Sequence, residues 1–201
     1  MSITNQIIET MGISKETNHL IMAIHEGEGH ATVHYWSNAK GSWERKMQVD
    51  GFLGSGGTTD PDKKQEGDKK SPLGIYKVST PFGTEDPGTN HPFTNITPRS
   101  YWISNPLDVH YNTWQERDHS HKDDEHLISL KDEYKYAMVI EYNTDQCVKG
   151  KGSAIFLHIS NGTPTLGCVS VPEAQMRMLM QELDEPAYVI IANSESDLIN
   201  Y

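Results

Sequence analysis

Residues Ala154 to Pro172 read AIFLHISNGTPTLGCVSVP, in which an apolar run ends on His158, a turn-forming Asn161-Gly162-Thr163-Pro164 follows, and Gly167-Cys168 opens a second apolar run. Two short apolar runs separated by Asn, Gly and Pro are the pattern of a strand, a turn and a second strand. An imidazole and a thiol are thereby hung on neighbouring strands. That combination suggests a cysteine nucleophile with a histidine base, because the thiolate is the attacking form and a nearby imidazole can take its proton. The chain has two cysteines, Cys147 and Cys168. Their plain reading is a pair of buried thiols, and Gly167 and His158 tip Cys168 toward chemistry.

The rest of the 201-residue chain is long enough for one sizeable core and short of two ordinary domains, so a single domain is expected. No run approaches the roughly 18 consecutive apolar positions of a membrane span, so a soluble fold without a span is expected. A formal net charge of −11 argues against a nucleic-acid partner, which would draw on clustered Lys and Arg. The opening MSITNQIIETMG has neither a basic nor a long apolar segment, so no signal peptide is legible there.

Along the chain, Ile3, Ile7, Ile8 and Met11 share a helical face ahead of Gly12, predicting a short helix within residues 1–18 with Gly12 as its C-cap. From His19 to Gly57, short apolar runs broken by Gly- and Asn-containing turns predict an antiparallel meander, with His25, His30 and His34 facing solvent. Residues 54–71, GSGGTTDPDKKQEGDKKS, predict a long loop that lacks the Gly-Lys-Ser/Thr helix start of a phosphate-binding loop. A strand around IYKVST follows.

An irregular insertion is expected over about residues 81–130, where Phe93, Tyr101, Trp102, Tyr111 and Trp114 fit either the wall of a binding cleft or an outer cover for the core. His119, His121 and His126 stand among Asp118, Asp123, Asp124 and Glu125 without an HExxH spacing. A solvated loop is therefore expected there, with no metal and no cofactor, although such a cluster also suits a cationic or zwitterionic ligand. Buried strands are predicted over residues 134–142 and 153–159. A helix bearing Met176, Leu179, Met180 and Leu183 follows Pro172, and a last strand, AYVIIA, follows Pro186. The expected fold class is mainly β, with residues 19–201 as one domain.

Several separated stretches, agreeing in order, resemble the L,D-transpeptidase (YkuD-type) catalytic domain family. They are Glu66-Gly67-Asp68 with Ser71-Pro72-x-Gly74-x-Tyr76, then Ser153-Ala154-Ile155-Phe156-Leu157-His158, then Thr165-x-Gly167-Cys168-Val169, and the order of elements fits from about Met22 to Ala192. The resemblance implies a YkuD-like β-sandwich that acts on peptidoglycan stem peptides. Cys168 would attack the carbonyl of the third, diamino residue of a stem tetrapeptide, expel the terminal D-alanine and leave a thioester. His158 would take the thiol proton, oriented by the backbone carbonyl of Ile159, and the N–H groups of Gly167 and Cys168 would serve the oxyanion. An amine acceptor would give a cross-link, and water would give L,D-carboxypeptidase activity.

The chain departs from the family pattern at Leu166, where a second histidine is usual, and at Ser170, where Arg or Asn is usual. Replacement contacts to substrate are expected from Trp102, Tyr111, Asn112, Thr165 and Ser170 and from the His-rich insertion. The expected place of action is the cell envelope or outside the cell, and the oligomeric state is left open with a monomer favoured. It leaves open use as a cell-wall-targeting toxin, a non-catalytic wall-binding module, or an unrelated cysteine hydrolase.

Overall fold

The computed structural model of the chain describes residues 3–184 and 186–201. A helix α1 (Asn5–Thr10) precedes the meander β1 (His19–Gly27), β2 (His30–Ser37) and β3 (Glu44–Phe52). Next come β4 (Thr58–Thr59), β5 (Ser71–Pro72), β6 (Gly74–Gly83), β7 (Thr94–Asn95), β8 (Ser100–Trp102), β9 (Trp114–Glu116) and β10 (Glu125–His126). The chain finishes with β11 (Ala137–Ile140), β12 (Phe156–Ile159), β13 (Val169–Val171), α2 (Glu173–Glu182) and β14 (Ala187–Ala192).

Nine strands join in the order β11-β12-β13-β3-β2-β1-β14-β6-β7, and a further pairing of β11 with β6 returns the sheet on itself. The mainly β fold expected from sequence is therefore present, with its sandwich layers closed as a barrel. Closure leaves few unpaired edge groups. Alternation decides which side chains enter the barrel. Leu157 and Ile159 of β12 and Val169 and Val171 of β13 point inward, where Met176, Leu179 and Met180 of α2 and Leu183 beyond it join the same cluster. Phe156, from the opposite face of β12, packs outward with Ala137, Val139 and Cys168.

Two further layers cover the outside. Ile3, Ile8 and Met11 pack with Leu20, Met22, Trp36 and Ile190, so the N-terminal segment caps the outer face of β1 and β14. Thr4 caps α1 by accepting the Ile7 N–H at 3.3 Å. The helix ends at Met11, and Gly12, expected as its cap, starts a separate 3₁₀ turn. On the other side, Phe82, Ile96, Trp102, Leu127 and Tyr134 cover the outer face of β11 and β12. Fully burying a side chain such as Phe82 or Phe156 contributes about 2–3 kcal/mol, which is what holds this cover down.

Four further expectations change. The stretch over residues 81–130 is not wholly irregular, because β10, β8 and β9 form a small antiparallel sheet within it. His34 does not face solvent: it is 2% exposed, and neither ring nitrogen has a partner. Alternation does aim it outward, but its register partner Met22 belongs to the apolar cluster that the N-terminal segment and Trp43 cover. In the His-rich run, His126 stacks on Tyr101 at 4.5 Å and its Nε2 lies 2.7 Å from the Pro98 carbonyl, so it is part of the insertion's structure.

The fourth change concerns the stretch that carries His158 and Cys168. β12 and β13 run parallel, with Leu157 opposite Val169 and His158 opposite Ser170, so the link between them is a returning loop and not a hairpin turn. That loop is pinned midway. Thr165 donates its N–H to the Leu53 carbonyl at 2.9 Å and accepts the Ser55 N–H at 2.8 Å, which bridges it to the chain leaving β3.

Candidate active site

The parallel register puts His158 and Ser170 side by side on the outer face of the barrel, and Cys168 stands one step before β13. All three line a cavity of about 440 Å³ between that face and the insertion. The returning loop contributes Thr165 and Leu166 to its mouth, and Leu166 is 74% exposed there. Lys64, Glu66, Glu125 and Tyr134 also line the cavity.

The turn that presents Cys168 is clamped from both sides. Ser71 Oγ accepts the Gly54 N–H at 2.9 Å and donates to the Gly167 carbonyl at 2.7 Å. Thr165 Oγ1 donates to the Cys168 carbonyl at 2.7 Å and accepts the Gly167 N–H at 3.0 Å. Gly167 has φ +140°, and a Cβ there would sit 3.0 Å from the Lys70 carbonyl oxygen, so only glycine fits this turn without strain. The Gly167 N–H, expected as an oxyanion donor, is thus already used by Thr165. The Cys168 N–H has no protein acceptor among the described residues, so it is the donor left for an incoming oxyanion.

His158 Nδ1 lies 2.8 Å from the Ile159 carbonyl oxygen. An N–H at Nδ1 donating to that oxygen leaves the Nε2 lone pair for the cavity. The ring stands edge-on to Tyr134 at 5.3 Å. Burial lowers the His158 pKa below 6.5, opposed by the Ile159 hydrogen bond and the charge of Glu133, so the imidazole is neutral at neutral pH.

Cys168 is 8% exposed. Its Sγ donates to the Ala154 carbonyl at 3.2 Å and accepts the Phe156 N–H at 3.3 Å. Burial, and then the charge of Glu125, push the thiol up to about 12, against the Phe156 hydrogen bond and the charge of Lys64. The resting pair is therefore a neutral thiol beside a neutral imidazole, without the hydrogen bond between them that would mark a preformed thiolate. Ala154 holds its carbonyl toward Sγ from a left-handed backbone conformation, φ +54°, which costs a non-glycine residue about 1 kcal/mol or more.

Of the five residues expected to contact substrate, Thr165 and Ser170 line the cavity and Trp102, Tyr111 and Asn112 do not. All three are at least 94% buried and stand behind the wall. Asn112 Oδ1 accepts the Trp102 indole N–H at 2.8 Å and the Ala154 N–H at 3.1 Å, while Nδ2 donates to the carbonyls of Tyr142 and Asn143 at 3.2 and 2.8 Å. Tyr111 donates its hydroxyl to Glu66 and accepts the Gly152 N–H at 3.0 Å. These residues build the wall from behind and do not line the cavity.

Sequence reasoning missed Glu125 and Tyr134 as cavity residues and Ser71 as a clamp. Glu125 was masked by its polar neighbours, and only its contact with Tyr134 across the fold reveals it. Among the described residues, no group of three or more His, Cys, Asp and Glu side chains is arranged to hold a metal ion. No helix among them is long and apolar enough to cross a membrane.

Fold and site together define a mainly β domain with a cysteine and a histidine in one covered cavity. The chain belongs to the YkuD family, the L,D-transpeptidase catalytic domain, whose family model matches residues 17–191. Among solved structures the chain is similar to Bdellovibrio bacteriovorus Bd1075, with 14% identity and a TM-score of 0.44 over 94% of this chain and 55% of that one. The chain thus spans about half the length of that protein. No curated protein matches it.

Proposed function

We propose that this domain is a cysteine acyltransferase acting on peptidoglycan stem tetrapeptides, with Cys168 as nucleophile and His158 as base. The observation that carries the reading is the single cavity into which parallel strands bring Cys168, His158 and Ser170. Attack forms a bond from Sγ to the carbonyl carbon of the third residue, and the thiol proton passes to His158 Nε2. The Cys168 N–H donates to the oxyanion. The amide bond to D-alanine then breaks, and its nitrogen takes the proton from His158.

In the second half, an acceptor amine loses a proton to His158, attacks the thioester and returns the thiolate, which regains its proton. With an amine acceptor the product is a cross-link, and with water it is a tripeptide. Such a substrate lies in the cell wall, so the proposed place of action is the cell envelope.

Incubating the purified chain with a synthetic tetrapeptide, alone and with an amine acceptor, tests this by mass spectrometry. D-alanine release and an acyl adduct on Cys168 are expected, and both should vanish in Cys168→Ala and His158→Ala. A cross-linked product identifies the transpeptidase and tripeptide alone the L,D-carboxypeptidase. Absence both of D-alanine release and of a carbapenem adduct on Cys168 would overturn this reading and leave a wall-binding module or an unrelated cysteine hydrolase.

A further inference from the structure

The segment that carries the acceptor for the Cys168 thiol is strained and held from three sides. Gly152 has φ +107° and Ala154 φ +54°, so two of three successive residues stand in the left-handed region. Each of the three is fixed by a side chain from elsewhere. Gly152 donates its N–H to the Tyr111 hydroxyl at 3.0 Å, Ser153 Oγ donates to Glu66 at 2.7 Å, and Ala154 donates its N–H to Asn112 Oδ1 at 3.1 Å. Tyr111 and Asn112 belong to the insertion, and Glu66 to the loop between β4 and β5, so the pins come from outside the barrel strands.

What this strained segment achieves is local. It sets the Ala154 carbonyl against Sγ at 3.2 Å, with the Phe156 N–H also on the sulfur at 3.3 Å. Such a seat discriminates between the two protonation states of the sulfur. The Phe156 N–H can donate to a thiol or to a thiolate, whereas the Ala154 carbonyl accepts only from S–H and its oxygen repels a thiolate. While that carbonyl is in place, the thiol proton is directed to Ala154 and is not offered to His158. Without its pins, the non-glycine residue at 154 would relax out of the left-handed region, and the carbonyl would turn with the backbone.

We propose that Asn112 is a positioning residue for the nucleophile: by accepting the Ala154 N–H it keeps the Ala154 carbonyl on Cys168 Sγ, and so holds the thiol at rest protonated and turned from His158. The inference rests on the acyl-transfer reading above in taking Cys168 as the nucleophile. It gives the insertion a part in the chemistry without any contact to substrate.

Labelling of Cys168 by iodoacetamide in the full chain near neutral pH, followed by mass spectrometry of its peptide, tests this. In Asn112→Ala the carbonyl is released and the S–H is free to turn to His158 Nε2, so Cys168 should label about three- to ten-fold faster than in the wild type, the range of one neutral hydrogen bond. Asn112→Asp separates this effect from lost stability. The aspartate keeps an oxygen for the Ala154 N–H but loses the donors to the Tyr142 and Asn143 carbonyls, so it should label no faster than the wild type although it is less stable. Each rate is taken without urea and in urea below the unfolding transition, where labelling through opening of the fold climbs and labelling of the native site does not. If Asn112→Ala does not fold, Tyr111→Phe removes the pin on Gly152 and leaves Asn112 in place; it should speed labelling too, and an unchanged rate there counts against the seat.

An unchanged or slower rate in Asn112→Ala, equal acceleration in the alanine and aspartate variants, or acceleration that appears only as urea rises would overturn the positioning role and leave Asn112 a structural residue. D-alanine release by the wild type is scored separately. Its absence with the labelling pattern intact removes acyl transfer and leaves the seat standing, and its presence with that pattern missing does the reverse.

Discussion

Replacing Asn112 with alanine separates a wall-building residue from a substrate contact. Asn112 is 4% exposed, and its amide satisfies two donors, the Trp102 indole and the Ala154 N–H, and two backbone carbonyls. Truncation leaves those two donors buried without partners, at about 1–3 kcal/mol each. Asn112 also sits at φ +60°, where alanine is worse tolerated than asparagine by about 1 kcal/mol. The sum is about 3–5 kcal/mol, allowing for a water entering the gap. For a domain of this size that lowers the melting temperature by about 6–20 °C. Urea midpoints and calorimetry read the loss, and KM of the folded variant for a tetrapeptide should stay within about two-fold, because the side chain does not reach the cavity. A stability change below about 1 kcal/mol together with a ten-fold rise in KM would refute this placement and make Asn112 a substrate contact.

Other outcomes follow from the same contacts. Ser71→Ala removes the bridge between the Gly54 N–H and the Gly167 carbonyl, and should cost about 2–3 kcal/mol in urea unfolding and slow acylation; unchanged stability would show that the clamp is dispensable. Burial, and then the charge of Arg45, hold His34 below the ordinary 6.5, against the charge of Glu26, so the unfolded chain takes up a proton that the folded chain refuses. Titration of His34 therefore contributes nothing above about pH 6.5 and destabilises progressively below it, so the stability of wild type relative to His34→Gln should fall on acidification by up to about 1.4 kcal/mol per pH unit. A gap independent of pH between 8 and 5 would contradict the assignment, within the range set by that principle. Iodoacetamide near neutral pH should label exposed Cys147 before Cys168, and Glu125→Gln should speed labelling of Cys168; faster labelling of wild-type Cys168 than of Cys147 would mean a preformed thiolate. The acid limb of kcat/KM should lie below pH 6.5, the side to which burial moves His158, and a limb above it would point to a different base.

What could be read from sequence was local periodicity. The short apolar runs of β1 and β2, the helical spacing of Met176, Leu179 and Met180, and the apolar AYVIIA each became the element they predict. Strand direction was not readable in the same way. An Asn-Gly turn between two apolar runs signals a hairpin, and the parallel outcome here depends on Thr165 bridging to Gly54, a contact more than a hundred residues away in the chain. The clamp from Ser71 to Gly167 likewise spans 96 residues. His34 shows a related limit: alternation gives the face of a strand, but whether that face is wet depends on what a remote segment lays over it. Trp102, Tyr111 and Asn112 were legible as important polar and aromatic residues of the insertion, whereas their side of the wall depends on how the insertion folds back.

The resting site also explains why a thiol and an imidazole on neighbouring strands need not form an ion pair. A buried thiolate next to Glu125 would face both desolvation and a like charge, and the buried cation Lys64 is already paired with Asp68. The fold instead holds the thiol between the Ala154 carbonyl and the Phe156 N–H. Its strain sits under that carbonyl, in the left-handed backbone of Ala154, and Asn112 maintains it by accepting the Ala154 N–H. In the proposed reaction, a substrate that brings its carbonyl to the Cys168 N–H gives the sulfur a carbon to attack as His158 Nε2 takes the thiol proton. On that reading, nucleophile activation is tied to occupancy of the cavity, and the contacts that hold the neutral thiol at rest, from Ala154 and Phe156, matter beside the histidine.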